Sequence, residues 1–363
     1  MKVCHMTSAH PVHDIRIFRK ECCSLAKFGY EVYLVAPNCE EEHKDGVHIV
    51  SIEVKGKGRL NRMLIKSRAV YKKSLELDAD IYHFHDPELL RFALRLKRKG
   101  KIVIYDAHED LPRQILGKPY LKGRTLISLF FEWYENFVVQ KLDAVIAATP
   151  FIRDRFLKLS PNTIDINNYP LQSEIDLQDP NPSVKENSVC FIGGISEIRG
   201  TLQVVKAMAY TTCRLDLAGA IPDAFRGKLQ VDPGWKQVNE LGLIDRGKAF
   251  EIKKKAFAGI VTFLPLPNHI NAQPNKIFEY MASGLPVIGS DFPLWSEIII
   301  ENNAGLCVDP TNPEEIAQAI QYLNDHPDIA VEMGANGRRI VEKKYNWSFE
   351  EKKLISFYNQ LKS

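Results

Sequence analysis

Hydrophobic positions along this 363-residue chain fall into short apolar runs separated by longer segments with helical spacing. The runs KVCHM at 2–6, EVYLVA at 31–36, HIVSI at 48–52, IYHFH at 81–85, IVIYD at 102–106 and AVIA at 144–147 read as strands. Between the first two, Ile15, Phe18, Cys22, Leu25 and Phe28 recur at helical spacing, and Gly29 stops the helix. Helices are also expected at 59–77, 88–99 and 124–140. The second half repeats the pattern. Strands are expected at 188–192, 214–218, 235–238, 259–263 and 286–288. Helices are expected at 201–210, 224–229, 248–257, 274–283, 313–324 and 328–344.

Strands alternating with helices of 10–15 residues imply parallel sheets built from βαβ units. Two such series predict an α/β chain of two Rossmann-like domains, with ligands in the cleft between them, outside the carboxyl ends of the strands. Residues 170–187, PLQSEIDLQDPNPSVKEN, are polar, contain three prolines and show neither period, which reads as a linker. The boundaries expected are 1–170, a linker at 171–187, 188–345, and a helix at 346–363 that crosses back to the N-terminal domain. On that last helix Trp347, Phe349, Leu354 and Phe357 are expected to share the packed face.

Length fits two domains at roughly 150 residues each. Apolar content of 45% and charged content of 26% are ordinary for a globular chain, which excludes disordered and fibrous classes. The net charge of +3 is too mild to argue for nucleic acid, and no base-stacking module is readable. Charge is uneven: residues 1–170 carry 28 Lys and Arg against 21 Asp and Glu, and the remainder carry 20 against 24. Seven cysteines without a CxxC pair, no spanning apolar run and no signal-peptide pattern predict a reduced cytoplasmic protein.

The segment QPNKIFEYMASGLPVIGSD at 273–291 carries the strongest chemistry. Pro274 suits the first turn of a helix, and a helix start favours a phosphate. Lys276 adds a point charge there. Glu279, one turn on, can accept two hydrogen bonds from a ribose diol.

PNKIFEYMASGLPVIGSD resembles the nucleotide-sugar motif of retaining glycosyltransferase family 4, whose members have the two-domain GT-B fold. GYEVYLVAP, VCFIGGISEIRGTLQVVKAM, AGLCVDPTNPEEIAQAI and YNWSFEEKKLISFY resemble other segments of that family in order and spacing. The resemblance covers essentially the whole chain. It implies that Glu279 is the second Glu of the family's E-x7-E pattern and binds the donor ribose. Asn271 stands where the first Glu is expected; it can hydrogen-bond a sugar hydroxyl but carries no charge. Arg199 before Gly200 resembles the basic residue that clamps the donor diphosphate, a contact that suits a guanidinium. Gly194 stands where the family often has a second basic residue, and Lys276 is expected to compensate. Gly193 and Gly194 would let backbone approach the donor. With Pro274, Asn275 and Ile277, these residues form the expected donor site. On the acceptor side, His108 resembles the family histidine placed near the donor sugar. His10, Asp14 and Arg16 match an H-x-x-x-D-x-R variant of the first loop.

Other features are read as bystanders. His83 and His85 share one side of a strand, but no Cys or carboxylate pattern completes a metal site, so none is expected. Asp78-Ala79-Asp80 precedes a strand and reads as a solvated loop. A GxGxxG after the first strand and a G-x-S-x-G elbow are both lacking, which disfavours a dinucleotide oxidoreductase and a serine hydrolase. The stretch from Lys55 to Lys73 holds eight basic residues in nineteen, and that from Arg113 to Trp133 mixes Arg and Lys with Leu, Phe and Trp. Both suit an anionic membrane surface.

The expectation is a metal-independent, retaining glycosyltransferase with a nucleotide diphosphate sugar as co-substrate and no cofactor. Arg199, Lys276 and His108 would be catalytic. The acceptor would be a glycan or lipid-linked hydroxyl in bacterial surface-polysaccharide synthesis. The alternatives are a nucleotide-sugar 2-epimerase of the same fold and a non-catalytic GT-B subunit.

Overall fold

The computed structural model describes residues 1–56, 58–118, 121–176 and 185–361. The chain forms two units: Met1–Asn168 with Trp347–Ser363, and Tyr169–Asn346.

In the first unit eight strands form one sheet: β1 (Lys2–Met6), β2 (Glu31–Pro37), β3 (Glu42–Lys44), β4 (Val47–Ile52), β5 (Ile81–Phe84), β6 (Ile102–Ala107), β7 (Ala144–Ala147) and β8 (Thr163–Asp165). Their order is β3-β4-β2-β1-β5-β6-β7-β8, parallel except for β3, which pairs antiparallel with β4. The second unit orders six parallel strands as β11-β10-β9-β12-β13-β14, with β9 (Ser188–Ile192), β10 (Arg214–Ala218), β11 (Val238–Gly242), β12 (Ala258–Val261), β13 (Val287–Ser290) and β14 (Gly305–Val308). That 3-2-1-4-5-6 order is the doubly wound arrangement. Helices cover both faces, so the central strands are apolar throughout: Val3, Val32, Val145, Val189, Ile260 and Ile288 are essentially inaccessible. In each unit the order reverses beside the first strand, between β1 and β5 and between β9 and β12.

The terminal helix Trp347–Gln360 packs in the first unit. Trp347 Nε1 donates to Ser24 Oγ (3.0 Å), Tyr30 Oη to Asn359 Oδ1 (2.9 Å), and the Asn167 backbone N–H to Glu350 Oε2 (2.7 Å). Trp347, Leu354 and Phe357 are buried as expected, whereas Phe349 is 42% exposed.

Several expectations shift. The strand expected at 235–238 begins only at Val238. Pro233 starts a 3-10 turn over Pro233–Gln237, and Asp232 Oδ1 accepts the Gly234 N–H at 3.0 Å. Proline's fixed φ and missing donor favour that turn over a ladder. The expected linker contains a helix, Gln172–Asp176, with Glu174 Oε2 accepting the Leu171 N–H; residues 177–184 lie outside the described residues. Tyr169 joins the second unit because its ring packs on Phe278 and Tyr345, at centroid distances of 4.8 and 5.2 Å. Helices Leu111–Leu116, Pro150–Leu157 and Pro293–Ile299 and strands β3, β8 and β14 were not expected. These helices span six to eight residues and these strands three or four, lengths at which a period is barely expressed.

Candidate functional site

The second unit gathers its polar chemistry at the carboxyl ends of β9 and β12. The helix Asn275–Ala282 is fixed there by Tyr280, whose buried hydroxyl accepts the Ile192 N–H at the end of β9 (2.9 Å). Its ring lies over Gly259 of β12, where a Cβ would come within 2.4 Å of it. Trp295 Nε1 donates to Ala272 O (2.7 Å) and pins the loop leading into the helix. Pro274 precedes the first turn with ψ 128° and supplies no side-chain cap. The helix start is therefore open to an anion.

Lys276 and Glu279, one turn apart, form an ion pair. Gly193 adopts φ +142°, and a Cβ there would lie 3.6 Å from Lys276 Cε and 3.9 Å from Arg199 Nη1. At Gly194 it would stand 3.1 Å from Arg199 Cζ. Both cations thus reach over the bare backbone after β9. The Arg199 guanidinium also lies over the Phe263 ring, 5.2 Å from its centroid. Gly200 (φ +69°) abuts the Thr262 carbonyl so closely that any Cβ would clash, which fixes the turn carrying Arg199.

Two neighbours escaped sequence reasoning. His269 donates through Nδ1 to Leu264 O (3.0 Å) and packs on Phe263; burial, and then the charge of Arg199, push its pKa down against that hydrogen bond. Lys253 is pulled below the usual lysine range by burial, partly offset by Glu279 and reinforced by Lys276. Lys253 therefore lies within electrostatic reach of this pair. The only signal was its place in the run KKK at 253–255. Ile277 is fully buried, so its side chain belongs to the core, and its N–H bonds Pro274 O at 3.1 Å. Asn271 lies in the turn before Pro274 and is partly exposed.

In the first unit the loop after β1 and the residues after β5 meet at the other reversal. Asp86 accepts from Thr7 Oγ1 (2.9 Å), Ser8 N (2.6 Å) and Ala9 N (3.2 Å), which folds the loop that presents His10. His10 Nε2 stands 3.5 Å from Asp86 Oδ1, and its ring lies 4.9 Å from that of His108. Asp86 was not singled out from the sequence. Asp14 caps the next helix, accepting from the Arg16 and Ile17 N–H groups at 2.9 and 3.0 Å. That helix opens with a π-helical stretch, Ile15–Cys22, and turns Arg16, Lys20 and Glu21 inward. Arg16 grips Asp106 at 2.8 and 3.2 Å and donates to Ile166 O (2.6 Å). It is 4% exposed, so it orders the site from beneath and does not present a guanidinium to ligand.

His108 Nε2 lies 2.9 Å from Asp106 Oδ2. Burial opposes ionisation of Asp106, but Arg16 and His108 outweigh it and hold the carboxyl well below its usual range. His85 Nδ1 approaches the same Oδ2 at 3.0 Å. Around this pair the structure adds what the sequence pattern of His83 and His85 lacked: Glu21 and His5 stand beside them, all four buried. Asp78 is exposed and paired with Lys101, while Asp80 accepts the Lys2 N–H.

The helix Arg124–Val139 exposes Leu126, Leu129, Phe130, Trp133 and Phe137. The helical run 59–76 exposes Leu60, Leu64 and Ile65. Arg91 lies between the two, donating to Leu64 O and Ser67 Oγ (2.9 Å each), and burial lowers its pKa while Tyr134 raises it. Arg113 is paired with Glu132 and so adds no free charge. Among the described residues, no helix is long and apolar enough to cross a membrane.

Glycosyltransferase Family 4 matches residues 19–166, and Glycosyl transferases group 1 matches residues 186–326. A D-rhamnosyltransferase WbpZ from Pseudomonas aeruginosa is 25% identical over 291 residues, 74% of this chain and 71% of that one. The solved sucrose-phosphate synthase from Thermosynechococcus elongatus superposes with a TM-score of 0.79 at 19% identity, over 99% of both chains. Anabaena HepE in complex with UDP-glucose gives 0.72 at 13% identity, over 99% of this chain and 100% of that one. The two family matches, one in each unit, and the fold shared with these solved structures support a glycosyltransferase family 4-like protein of the GT-B fold.

Proposed function

We propose that the second unit binds a nucleotide diphosphate sugar and that the first unit binds a glycan or lipid-linked acceptor, with transfer retaining the anomeric configuration. The observation that carries this reading is the convergence of Arg199 and Lys276 over Gly193 and Gly194 beside an open helix start. Arg199 and the helix start supply positive potential where a diphosphate leaving group gathers charge, and Lys276 adds to it once Glu279, its ion-pair partner, turns to the ribose; such charge lowers the barrier to departure. Glu279 takes the ribose diol. Asn271 offers a neutral hydrogen bond to the sugar. His108, oriented by Asp106, positions the donor sugar.

The acceptor oxygen forms its bond to the anomeric carbon on the face from which the diphosphate departs. The carbon–oxygen bond to the diphosphate breaks, and the acceptor proton passes to the departing phosphate oxygen. The cations replace a catalytic metal on the diphosphate, so no added divalent cation is required. The rhamnosyl relative and the UDP-glucose complex of HepE make 6-deoxyhexosyl and glucosyl donors the first candidates.

The apolar face of Arg124–Val139, beside the exposed Leu60, Leu64 and Ile65, supports a lipid-linked acceptor. Trp and Phe beside Lys and Arg suit the interface of an anionic bilayer. That reading places the protein at the inner membrane face, in bacterial surface-polysaccharide synthesis.

Thermal shift with a panel of UDP-, GDP-, CMP-, ADP- and dTDP-sugars, without divalent cation, tests the donor site. One nucleotide sugar should raise Tm, and Glu279→Ala should abolish the shift. No shift with any of them removes the donor assignment. Product analysis without acceptor separates transfer from epimerisation, because only an epimerase alters the donor sugar alone.

A further inference from the structure

We propose that the first unit holds one Zn2+-type transition-metal ion in its interior, ligated by His5, Glu21 and His83, with His85 as the hydrogen-bond partner that orients His5. His5 of β1 and His83 of β5 are register partners in the parallel pair, so their side chains leave the sheet on one face. His85, two residues on, shares that face. Glu21 comes down from the helical segment Ile15–Cys22. The four are at most 2% exposed, and one ligand atom from each lies within 4.8 Å of all the others.

The unpartnered atoms face this space. His5 Nε2, His83 Nε2 and both Glu21 carboxylate oxygens are buried without a hydrogen-bond partner. Arg16 Nε stands 3.1 Å from Glu21 Oε1, but misaligned for a hydrogen bond; Glu21 Oε2 faces His83 Nε2 at 3.8 Å. Buried polar atoms are nearly always satisfied, so four orphans in one place ask for a common partner.

The surrounding bonds set the tautomers that a metal needs. Asp106, an acceptor, engages His85 Nδ1 at 3.0 Å, which leaves the lone pair on His85 Nε2. That atom meets His5 Nδ1 at 2.9 Å, and His5 Nε2 is then left with a lone pair and no donor. His83 Nδ1 meets Tyr358 Oη at 2.6 Å; with the imidazole donating to that hydroxyl, Nε2 keeps its lone pair. Outer-nitrogen partners of this kind orient metal-binding imidazoles.

Arg16 is committed bidentately to Asp106 and makes no aligned hydrogen bond to Glu21. Imidazole and carboxylate ligands suit zinc and its first-row neighbours better than calcium or magnesium. Tetrahedral bonds of about 2.0–2.1 Å place ligand atoms about 3.4 Å apart, so no pair has to close by more than roughly 1.4 Å. The other trio, His85, Asp106 and His108, is a weaker candidate because its atoms already bond one another at 2.9–3.2 Å.

The test uses the full chain produced in zinc- or cobalt-supplemented medium and purified without a metal-affinity tag. Elemental analysis should find about one metal per chain. The cobalt form should show the intense visible absorption of a tetrahedral site. Glu21→Gln and His83→Gln should lose the metal, while His13→Gln, at a surface histidine paired with Glu42, should keep it. Metal-free protein from both media overturns the proposal, as does one equivalent that survives in Glu21→Gln and His83→Gln. Should those variants fail to fold, the wild-type stoichiometry and cobalt spectrum decide alone: a tetrahedral spectrum supports the site, and its absence ends the idea.

Discussion

Arg16 holds Asp106 with two parallel hydrogen bonds inside the first unit, at 2.8 and 3.2 Å. The residues are 90 positions apart, and both are closed to solvent. Burial opposes the charge on Arg16, but Asp106 and Glu21 outweigh it and raise its pKa further. Removing one partner leaves an uncompensated buried charge, which costs about 3–5 kcal/mol. Arg16→Met should therefore lower the urea midpoint of the first unit sharply. Arg16→Met combined with Asp106→Leu should recover part of the loss. Equal midpoints for the wild type and Arg16→Met would show that the pair contributes no stability.

The terminal helix carries a pH-dependent clasp. Burial pushes the Asp165 carboxyl up, but Lys353, Asn167 and Arg153 outweigh it and hold its pKa below the ordinary 3.8. A depressed folded pKa contributes stability that is present above about pH 4 and lost as pH falls through the folded value. Glu350 behaves oppositely: burial raises its pKa despite Lys353. Its ionisation on the way to neutral pH therefore opposes folding. Lys353 is 41% exposed, so solvent screens the contact. Lys353→Met should cost at most about 1 kcal/mol at pH 7. The difference from wild type should vanish in acid once both carboxyls are protonated. Urea titrations at stepped pH check this, and a penalty that grows toward acid contradicts the assignment.

How much of this was readable beforehand follows from what periodicity can carry. The helix Asn275–Ala282 was legible because Ile277, Phe278, Tyr280 and Met281 pack one face while Lys276 and Glu279 stay outside. The role of Tyr280 was not, because its partner Ile192 lies 88 residues away. His83 and His85 showed a shared face in the sequence, yet Glu21 and His5 join them only through the β1–β5 pairing and the inward turn of a π-helical segment. Arg16 was legible only as a match to the first loop's H-x-x-x-D-x-R pattern; its role as a buried brace was not, since nothing local announces Asp106 as its partner. Short proline-started helices such as Pro293–Ile299 passed unseen because seven residues barely complete two turns.

Tyr280 ties the geometry of the proposed donor site to the core. Tyr280→Phe removes the acceptor for the Ile192 N–H and leaves that buried donor unsatisfied, at a cost of about 1–3 kcal/mol. The helix start should also loosen relative to Gly193. The variant should lose thermal stability and bind the nucleotide sugar more weakly. Calorimetry with and without the donor separates the two effects.

The exposed face of Arg124–Val139 should decide attachment to lipid without touching the donor site. Burying a side chain such as Phe130 or Trp133 in a bilayer interface gains roughly 1.5–3 kcal/mol, and each 1.4 kcal/mol is tenfold in affinity. Trp133→Ser should therefore lower partitioning onto anionic vesicles by tenfold or more, and Phe130→Ser/Trp133→Ser by more again. Folding should be nearly unaffected, because these side chains are about 60% exposed. Sedimentation with phosphatidylglycerol vesicles against purely zwitterionic ones checks the lipid preference. Unchanged binding in the double variant, or equal binding to both vesicle types, rejects this face as the membrane contact.

Gly194 offers the narrowest probe of the donor site, since it touches one side chain. A Cβ there would meet the Arg199 guanidinium at 3.1 Å from Cζ and 3.2 Å from Nη1. Contacts that close oblige the flexible Arg199 side chain to give by a few tenths of an ångström, while the backbone can stay where it is. Gly194→Ala should leave Tm within about 1 °C, because a surface change away from core and caps shifts stability by no more than about 0.5 kcal/mol. Its effect should fall on transfer. If Arg199 steadies the diphosphate as charge develops, displacing it should lower kcat more than it raises the donor KM. Arg199→Ala sets the scale, with a loss of about 100- to 1,000-fold in kcat, as for other lost charge-stabilising donors. A Gly194→Ala enzyme with wild-type kcat, measured beside an impaired Arg199→Ala, would place the guanidinium's working position elsewhere.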